Sequence, residues 1–91
     1  MGRSNLEVKL DALLTAYYSV NVCFDFGIPQ YCDKAIEWLH RAYKMGAIPY
    51  DLYQAIKQLI ITVRESNDEK IMEETNHEFE KAIAQLFGVM L

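Results

Sequence analysis

The 91-residue sequence predicts an all-α fold, a small bundle of about four antiparallel helices with short connections. Three observations support this prediction. Apolar residues recur in steps of three and four through four segments, which is the period of an α-helix. Glycine or polar residues separate the segments, and proline stands near the start of two of them, where its missing N–H costs nothing. Short connections favour antiparallel neighbours within one domain that spans residues 1–91.

The first predicted helix spans about residues 5–25, with Ser4 or Asn5 as its N-cap. Its apolar stripe is so wide that little of its surface suits water. We therefore expect this helix to be central in the bundle or to form half of an oligomer interface. The stripe contains Leu6, Leu10, Leu13, Tyr17, Val20 and Phe24, and it is widened by Val8, Ala12, Ala16, Val22, Cys23 and Phe26.

The second predicted helix spans residues 29–45 and starts at Pro29, just after the break at Gly27. Its apolar and polar residues separate onto two faces at helical spacing. The predicted inner face contains Ile28, Cys32, Ala35, Ile36, Leu39, Ala42 and Tyr43, and the outer face contains Asp33, Lys34, Glu37, His40, Arg41 and Lys44.

The third predicted helix spans residues 49–65, after Gly46 and with Pro49 in its first turn. Its β-branched run at residues 60–63 would suit a strand in isolation. The length of the apolar segment and the lack of a partner strand favour a helix instead. The predicted core face contains Ile48, Leu52, Ala55, Ile56, Leu59 and Val63.

The fourth predicted helix spans residues 68–87, with Asn67 or Asp68 as its N-cap. Acids in its first turn suit the positive end of the helix dipole. The final segment, residues 87–91, has no polar side chain, so we expect it to pack onto the body or to form a contact surface. The predicted inner face contains Ile71, Met72, Thr75, Phe79, Ala82, Ile83 and Leu86.

The net charge of −4 is unevenly distributed along the chain. Residues 65–80 contain seven acids and one lysine, a local charge of −6, so the rest of the chain sums to +2. Such a segment opposes nonspecific binding to nucleic acid and suits either solvation or docking to a basic protein surface. The seven acids are Glu65, Asp68, Glu69, Glu73, Glu74, Glu78 and Glu80.

The sequence predicts a cytoplasmic protein without membrane contact. No apolar stretch reaches the roughly 18 residues of a membrane span, and residues 1–7 reach an acid before any apolar run, unlike a signal peptide. Cys23 and Cys32 flank Gly27 almost symmetrically, so a helical hairpin could bring them together. In a cytosolic chain the expected state is two reduced core thiols.

The pattern Glu-x-x-His occurs twice, at Glu37 with His40 and at Glu74 with His77. Two such motifs, with one carboxylate from each of two other helices, form the ligand set of di-iron four-helix bundles, so a di-iron protein is one alternative. Helical spacing, however, places all four side chains on outer faces. The sequence therefore predicts neither a bound metal nor another cofactor.

A helix-turn-helix DNA-binding regulator is a further alternative. Ala42 and Gly46, followed by Leu52 and Ala55, have roughly the small-residue and apolar spacing of that unit. A recognition helix should offer Arg, Lys, Asn or Gln at its start, whereas residues 49–54 offer only one glutamine. We therefore do not expect direct binding to nucleic acid.

No glycine-rich phosphate loop and no nucleophile motif occurs, so we expect no enzymatic activity. The favoured function is noncatalytic protein binding by a small regulator or inhibitor, with self-association through the first helix or the C-terminal segment. Tyrosine and tryptophan would supply affinity, and the acids would steer a partner with a basic surface. The predicted partner-binding residues are Tyr31, Trp38, Tyr50, Tyr53, Glu69, Glu73, Glu74 and Glu78.

In size and acidic composition the chain also resembles the helical inhibitors that phages and mobile elements direct at nucleic-acid enzymes, including anti-CRISPR proteins. No sequence motif contributes to this resemblance. It implies that carboxylates of the fourth helix occupy a phosphate-binding groove of such an enzyme. The carboxylates concerned are Glu69, Glu73, Glu74, Glu78 and Glu80.

Overall fold

The structure, a computed structural model, describes residues 4–90 and the side chains of residues 4–88. It confirms the all-α prediction, and no strand occurs among the described residues. Predicted and observed helix ends agree within one residue, except that the last helix continues three residues further. Expectations about residues 1–3 and Leu91 lie outside the described part. The helices are α1 (Asn5–Phe26), α2 (Pro29–Lys44), α3 (Tyr50–Ser66) and α4 (Glu69–Met90).

Local hydrogen bonds explain where the helices start and end. Ser4 caps α1 by accepting the backbone N–H of Glu7 at 3.2 Å. Gly27 ends α1 in the left-handed conformation, with φ at 64°, which glycine adopts without the steric cost of a Cβ atom. Asn67 ends α3 in the same conformation, with φ at 54°. Asp68 then caps α4, and its carboxylate accepts the backbone N–H of Lys70 at 2.8 Å.

The helices form an antiparallel bundle about 40 Å long. Helix α1 packs beside α2 and α4, and α3 packs beside the same two helices, so that α2 and α4 occupy opposite corners. The contact between α1 and α2 is the most extensive. Small buried residues on both helices permit this close approach, because interaxial distance depends on side-chain size. These residues are Ala12, Ala16, Ser19, Cys23, Cys32, Ala35 and Ala42.

Cys23 and Cys32 form a disulfide, so the expectation of two reduced thiols is wrong for this structure. The turn at Gly27 brings the last turn of α1 against the first turn of α2. The two Cα atoms lie 5.4 Å apart, within the usual disulfide range of about 4.4 to 6.8 Å. The disulfide therefore joins the two helices at the end of the bundle where α3 ends and α4 begins.

The buried face of α3 differs from the predicted one. Tyr53 and Ile60 are buried, whereas Ala55 is exposed and Leu59 only half-buried. The Tyr53 ring stacks on the ring of Tyr43 in α2, so Tyr53 is part of the packing between the two helices. Periodicity alone could not identify this contact, because Tyr53 carries a polar hydroxyl and reads equally well as a surface residue.

Besides Ala55, three large apolar residues that the sequence places on inner faces are exposed instead. They are Val8, Phe26 and Ile28, with 36%, 73% and 37% of their surface accessible. Phe26 and Ile28 flank the turn at Gly27, where no further helix covers them. Phe87, the first residue of the apolar C-terminal segment, is 45% exposed on a continuous α4. None of the described helices has the length and apolar character needed to cross a membrane.

Candidate partner-binding surfaces

A cluster of aromatic rings, which we call the tyrosine cluster, joins the end of α2 to the start of α3. It consists of His40, Tyr43, Tyr50 and Tyr53. Ring centroids of Tyr43 and Tyr53 lie 5.0 Å apart and those of Tyr43 and Tyr50 lie 5.7 Å apart. The antiparallel connection between the two helices brings these rings together, because Tyr43 lies in the last turn of α2 and Tyr50 in the first turn of α3.

The tyrosine cluster contributes more to packing between α2 and α3 than the sequence predicts. Tyr53 is only 7% exposed, so its predicted surface position is wrong. Its hydroxyl lies 3.3 Å from Nδ1 of His40, which satisfies the polar end of a buried ring. Tyr50 is 50% exposed, and its hydroxyl accepts a hydrogen bond from Gln54 at 2.9 Å. Tyr50 is therefore the most exposed of the three tyrosines in the cluster.

Tyr31 and Trp38 lie on another side of α2, two turns apart. The Arg41 guanidinium lies 4.4 Å from the centroid of the Trp38 ring and also donates to Glu37 at 2.8 Å. Trp38 and His40 are two residues apart and therefore project on nearly opposite sides of the helix. The structure thus does not bring Trp38 together with the tyrosine cluster, although the sequence assigned Trp38, Tyr50 and Tyr53 to partner binding.

Three exposed large apolar residues lie close together in the chain, at the α1–α2 turn and in the first turn of α2, and we call them the turn-end patch. It consists of Phe26, Ile28 and Tyr31, exposed by 73%, 37% and 36% respectively. Of these three residues, the sequence predicted partner binding only for Tyr31. A local signal was available for Phe26, because a residue directly before a helix-ending glycine falls at the end of the bundle, where burial is least complete.

The acidic residues of α4 face solvent. Glu69, Glu73 and Glu74 are exposed, and Glu78 is half-buried with a carboxylate oxygen 3.3 Å from the Lys81 ammonium. Because α2 and α4 occupy opposite corners, these acids lie away from Trp38. The start of α4 nevertheless lies at the same end of the bundle as the turn-end patch.

Both Glu-x-x-His motifs face outward, as the helical spacing predicts. Glu37, His40, Glu74 and His77 are all exposed. Among the described residues, no three or more His, Cys, Asp or Glu side chains lie close enough together to hold a metal ion. His40 instead contacts Tyr53 of the tyrosine cluster.

One titratable group on the α1–α4 side has a shifted pKa. Burial raises the pKa of the Tyr17 hydroxyl, and the nearby negative charge of Glu80 and the neighbouring Tyr18 raise it further. The Tyr17 ring packs on Phe79 with centroids 5.5 Å apart. This hydroxyl therefore stays protonated at neutral pH. The Tyr17 ring forms part of the packing between α1 and α4.

Two shallow cavities lie on the surface of the described chain. The first, of about 260 Å³, is lined by Asn5, Val8, Lys9 and Met45 at the start of α1. The second, of about 190 Å³, lies at the disulfide and is lined by Cys23, Gly27, Pro29, Val63, Arg64 and Asn67. Both are small beside the roughly 300 to 1,000 Å³ of ordinary ligand pockets.

Comparison of the chain with protein-family models, with curated proteins and with solved structures gives no match.

Proposed function

We propose that this protein is a noncatalytic binding module whose turn-end patch inserts into an apolar pocket of a partner protein, through which it acts as a small regulator or inhibitor. The observation that carries the proposal is that a single six-residue segment at the α1–α2 turn exposes Phe26, Ile28 and Tyr31. Aromatic anchors that fill a pocket supply much of the energy of protein interfaces.

The backbone that presents this patch is well constrained. Gly27 holds the left-handed turn, Pro29 fixes the first backbone angle of α2, and the Cys23–Cys32 disulfide ties the two helices together. A rigid presenting segment loses little conformational entropy on binding, so more of the contact energy contributes to affinity.

Charge supports a partner with a basic surface around its pocket. Residues 65–80 carry a net charge of −6, and α4 begins at the end of the bundle that holds the turn-end patch. Opposite charge would accelerate association and orient the encounter, while the apolar residues would slow dissociation.

A narrower form of the proposal concerns a nucleic-acid enzyme as the partner. Glu69, Glu73, Glu74 and Glu80 are all exposed along α4. Carboxylates so placed suit a groove that normally holds phosphates, since both groups are recognised by lysine and arginine. In this form the acids of α4 supply the main contact and the turn-end patch anchors it.

Two other functions receive less support. Helices α2 and α3 contact each other along their length, as in an antiparallel hairpin. The Asp33–Arg64 ion pair lies toward one end and the ring contact between Tyr43 and Tyr50 lies at the other. The helices of a helix-turn-helix cross instead at about 90 to 120°. The outward position of both Glu-x-x-His motifs likewise disfavours a di-iron centre.

The test is an affinity pull-down with the folded protein, followed by a binding titration against the partner recovered. Phe26→Ala with Tyr31→Ala should weaken binding by about tenfold or more, as loss of an anchor does at other interfaces. Tyr18→Ala is the matched control, because Tyr18 is 64% exposed on α1 but lies about two turns before the patch. Equal loss from both variants would refute the turn-end patch as the contact surface.

The role of the acids is tested separately. Glu73→Gln with Glu74→Gln should lower the association rate and reduce its dependence on salt, whereas the dissociation rate changes little. The narrower form of the proposal predicts a large increase in the dissociation rate as well.

Native mass spectrometry of the untagged protein reports self-association, and a dimer that Phe26→Ala disrupts would identify a second copy as an occupant of the patch.

A further inference from the structure

The two cysteines of the Cys23–Cys32 disulfide differ in their exposure to solvent. Cys23 lines the 190 Å³ surface cavity between the α1–α2 turn and the end of α3. Cys32 does not line it and has no exposed surface, whereas Cys23 is 5% exposed. A small molecule that enters the cavity therefore meets Cys23 and not Cys32.

We propose that this cavity is a site of thiol–disulfide exchange, in which a low-molecular-weight thiol attacks Cys23 and leaves Cys32 as the departing thiolate. The cavity accommodates the reacting end of a small thiol but not a folded protein domain. The exchange is proposed for the protein without a partner at the turn-end patch, because Gly27 and Pro29 of the cavity wall are chain neighbours of Phe26 and Ile28.

The positions of the two sulfurs along their helices support the same direction of attack. Cys32 lies in the first turn of α2, where the positive end of the helix dipole favours negative charge. Cys23 lies in the last turn of α1, where the dipole opposes negative charge. A disulfide is cleaved faster when the sulfur that departs is the better-stabilised thiolate.

Arg64 contributes a positive charge to the cavity wall. Its guanidinium donates to the carboxylate of Asp33 at 2.9 and 3.3 Å, which fixes its position and offsets part of its charge. The remaining charge favours an incoming thiolate over a thiol.

The reaction balances without a further reactant. The thiolate R–S⁻ forms a bond to Sγ of Cys23 while the Cys23–Cys32 bond breaks, and the electron pair leaves on Sγ of Cys32, which takes a proton from water. A second thiolate then attacks the mixed disulfide, releases R–S–S–R and leaves Cys23 as a thiolate that is protonated in turn. Two small thiols are oxidised as the protein disulfide is reduced to two thiols.

The test uses a matched pair of variants, Cys32→Ala and Cys23→Ala, each with one remaining cysteine and no disulfide. Each folded protein is incubated with oxidised glutathione, and the mixed disulfide is followed by intact-protein mass spectrometry. Glutathione must reach the sulfur to react, so we expect the exposure of Cys23 to outweigh the better-stabilised thiolate of Cys32. Cys32→Ala should therefore acquire the glutathionyl group at least about tenfold faster than Cys23→Ala. Equal rates, or faster reaction of Cys23→Ala, would overturn the proposal.

The unsubstituted protein provides a second measurement if either variant fails to fold. It is exposed briefly to glutathione, quenched with acid, alkylated and digested, so that the cysteine carrying glutathione is located in the peptides. We expect the mixed disulfide on Cys23 and the alkyl group on Cys32. The reverse assignment, or an equal mixture of the two, would contradict the proposed direction of attack.

Discussion

Asn21 of α1 donates a side-chain N–H to the side-chain oxygen of Asn76 in α4 at 2.9 Å. The same amide group also donates to the backbone carbonyl of Tyr17 at 2.8 Å. Both asparagines are half-buried. A hydrogen bond of this kind sets the axial position of one helix against the other, because sliding leaves polar groups unpaired.

Asn76→Ala is expected to lower the free energy of unfolding by about 1 kcal/mol, since it leaves the Asn21 amide with one partner fewer. In a second set of variants, Asn21→Leu with Asn76→Leu should cost much less than the sum of the two single leucine replacements, because the double variant leaves neither amide unpaired. Chemical denaturation of the unsubstituted protein, the two single leucine variants and the double variant measures the coupling. Additive effects would show that the hydrogen bond contributes nothing to stability.

Reduction of the Cys23–Cys32 disulfide is expected to lower stability by roughly 2 to 3 kcal/mol, because the unfolded chain loses a closed loop of about ten residues. Urea denaturation with and without reductant measures this difference. The variant with both cysteines changed to alanine is the control and should show no response to reductant. An unchanged denaturation midpoint of the unsubstituted protein after verified reduction would refute the prediction.

Tyr53→Ala is expected to destabilise the fold by about 3 to 4 kcal/mol, because it removes a buried aromatic ring from between α2 and α3. Tyr53→Phe keeps the ring and should cost no more than about 1 kcal/mol for the lost contact with His40. Tyr50→Ala, at a half-exposed position, is the matched control and should cost much less than Tyr53→Ala. Thermal denaturation distinguishes the three variants, and similar losses from both alanine variants would contradict the burial difference.

Stability at alkaline pH is expected to depend on Tyr17. Its pKa is raised in the folded protein above the ordinary value of about 10, so folding favours the protonated hydroxyl. The resulting stabilisation is fully present below pH 10 or so and is lost as the pH rises through the raised pKa of the folded state. Ultraviolet titration of tyrosine ionisation in the folded protein and in Tyr17→Phe should reveal this late-ionising group.

Glu80→Gln tests the cause of the raised pKa of Tyr17. It removes the charge but not the burial, so the pKa of Tyr17 should fall only part of the way toward its ordinary value. A complete return would show that Glu80, and not burial, is the dominant cause.

Arg64→Gln is expected to change stability by less than about 1 kcal/mol, although it breaks a two-bond ion pair with Asp33. The side chains of Arg64 and Asp33 are 41% and 58% exposed, so water screens their attraction. Denaturation in low and high salt measures the effect, which should shrink as salt increases. A loss of several kcal/mol would indicate that the pair is an essential link between α2 and α3.

The fold was largely predictable because helical periodicity and helix-ending residues are local signals. The α2 faces are as predicted except at Ile28, which lies outside the helix and is exposed. The α3 face was less accurate, since the burial of Tyr53 depends on Tyr43, a residue ten positions away on another helix. The candidate surfaces were less predictable still, because the turn-end patch exists only where the bundle stops covering its own apolar residues.

Four helices, their approximate ends and the outward position of Glu37, His40, Glu74 and His77 could be read from the sequence, because each follows from the 3.6-residue period and from local capping. Which residues meet across helices became clear only from the packed bundle. There Cys23 pairs with Cys32, Tyr53 is buried and Phe26 remains exposed. These outcomes depend on how closely the helices approach and on which surface a neighbouring helix covers, and neither is encoded in the spacing along one segment.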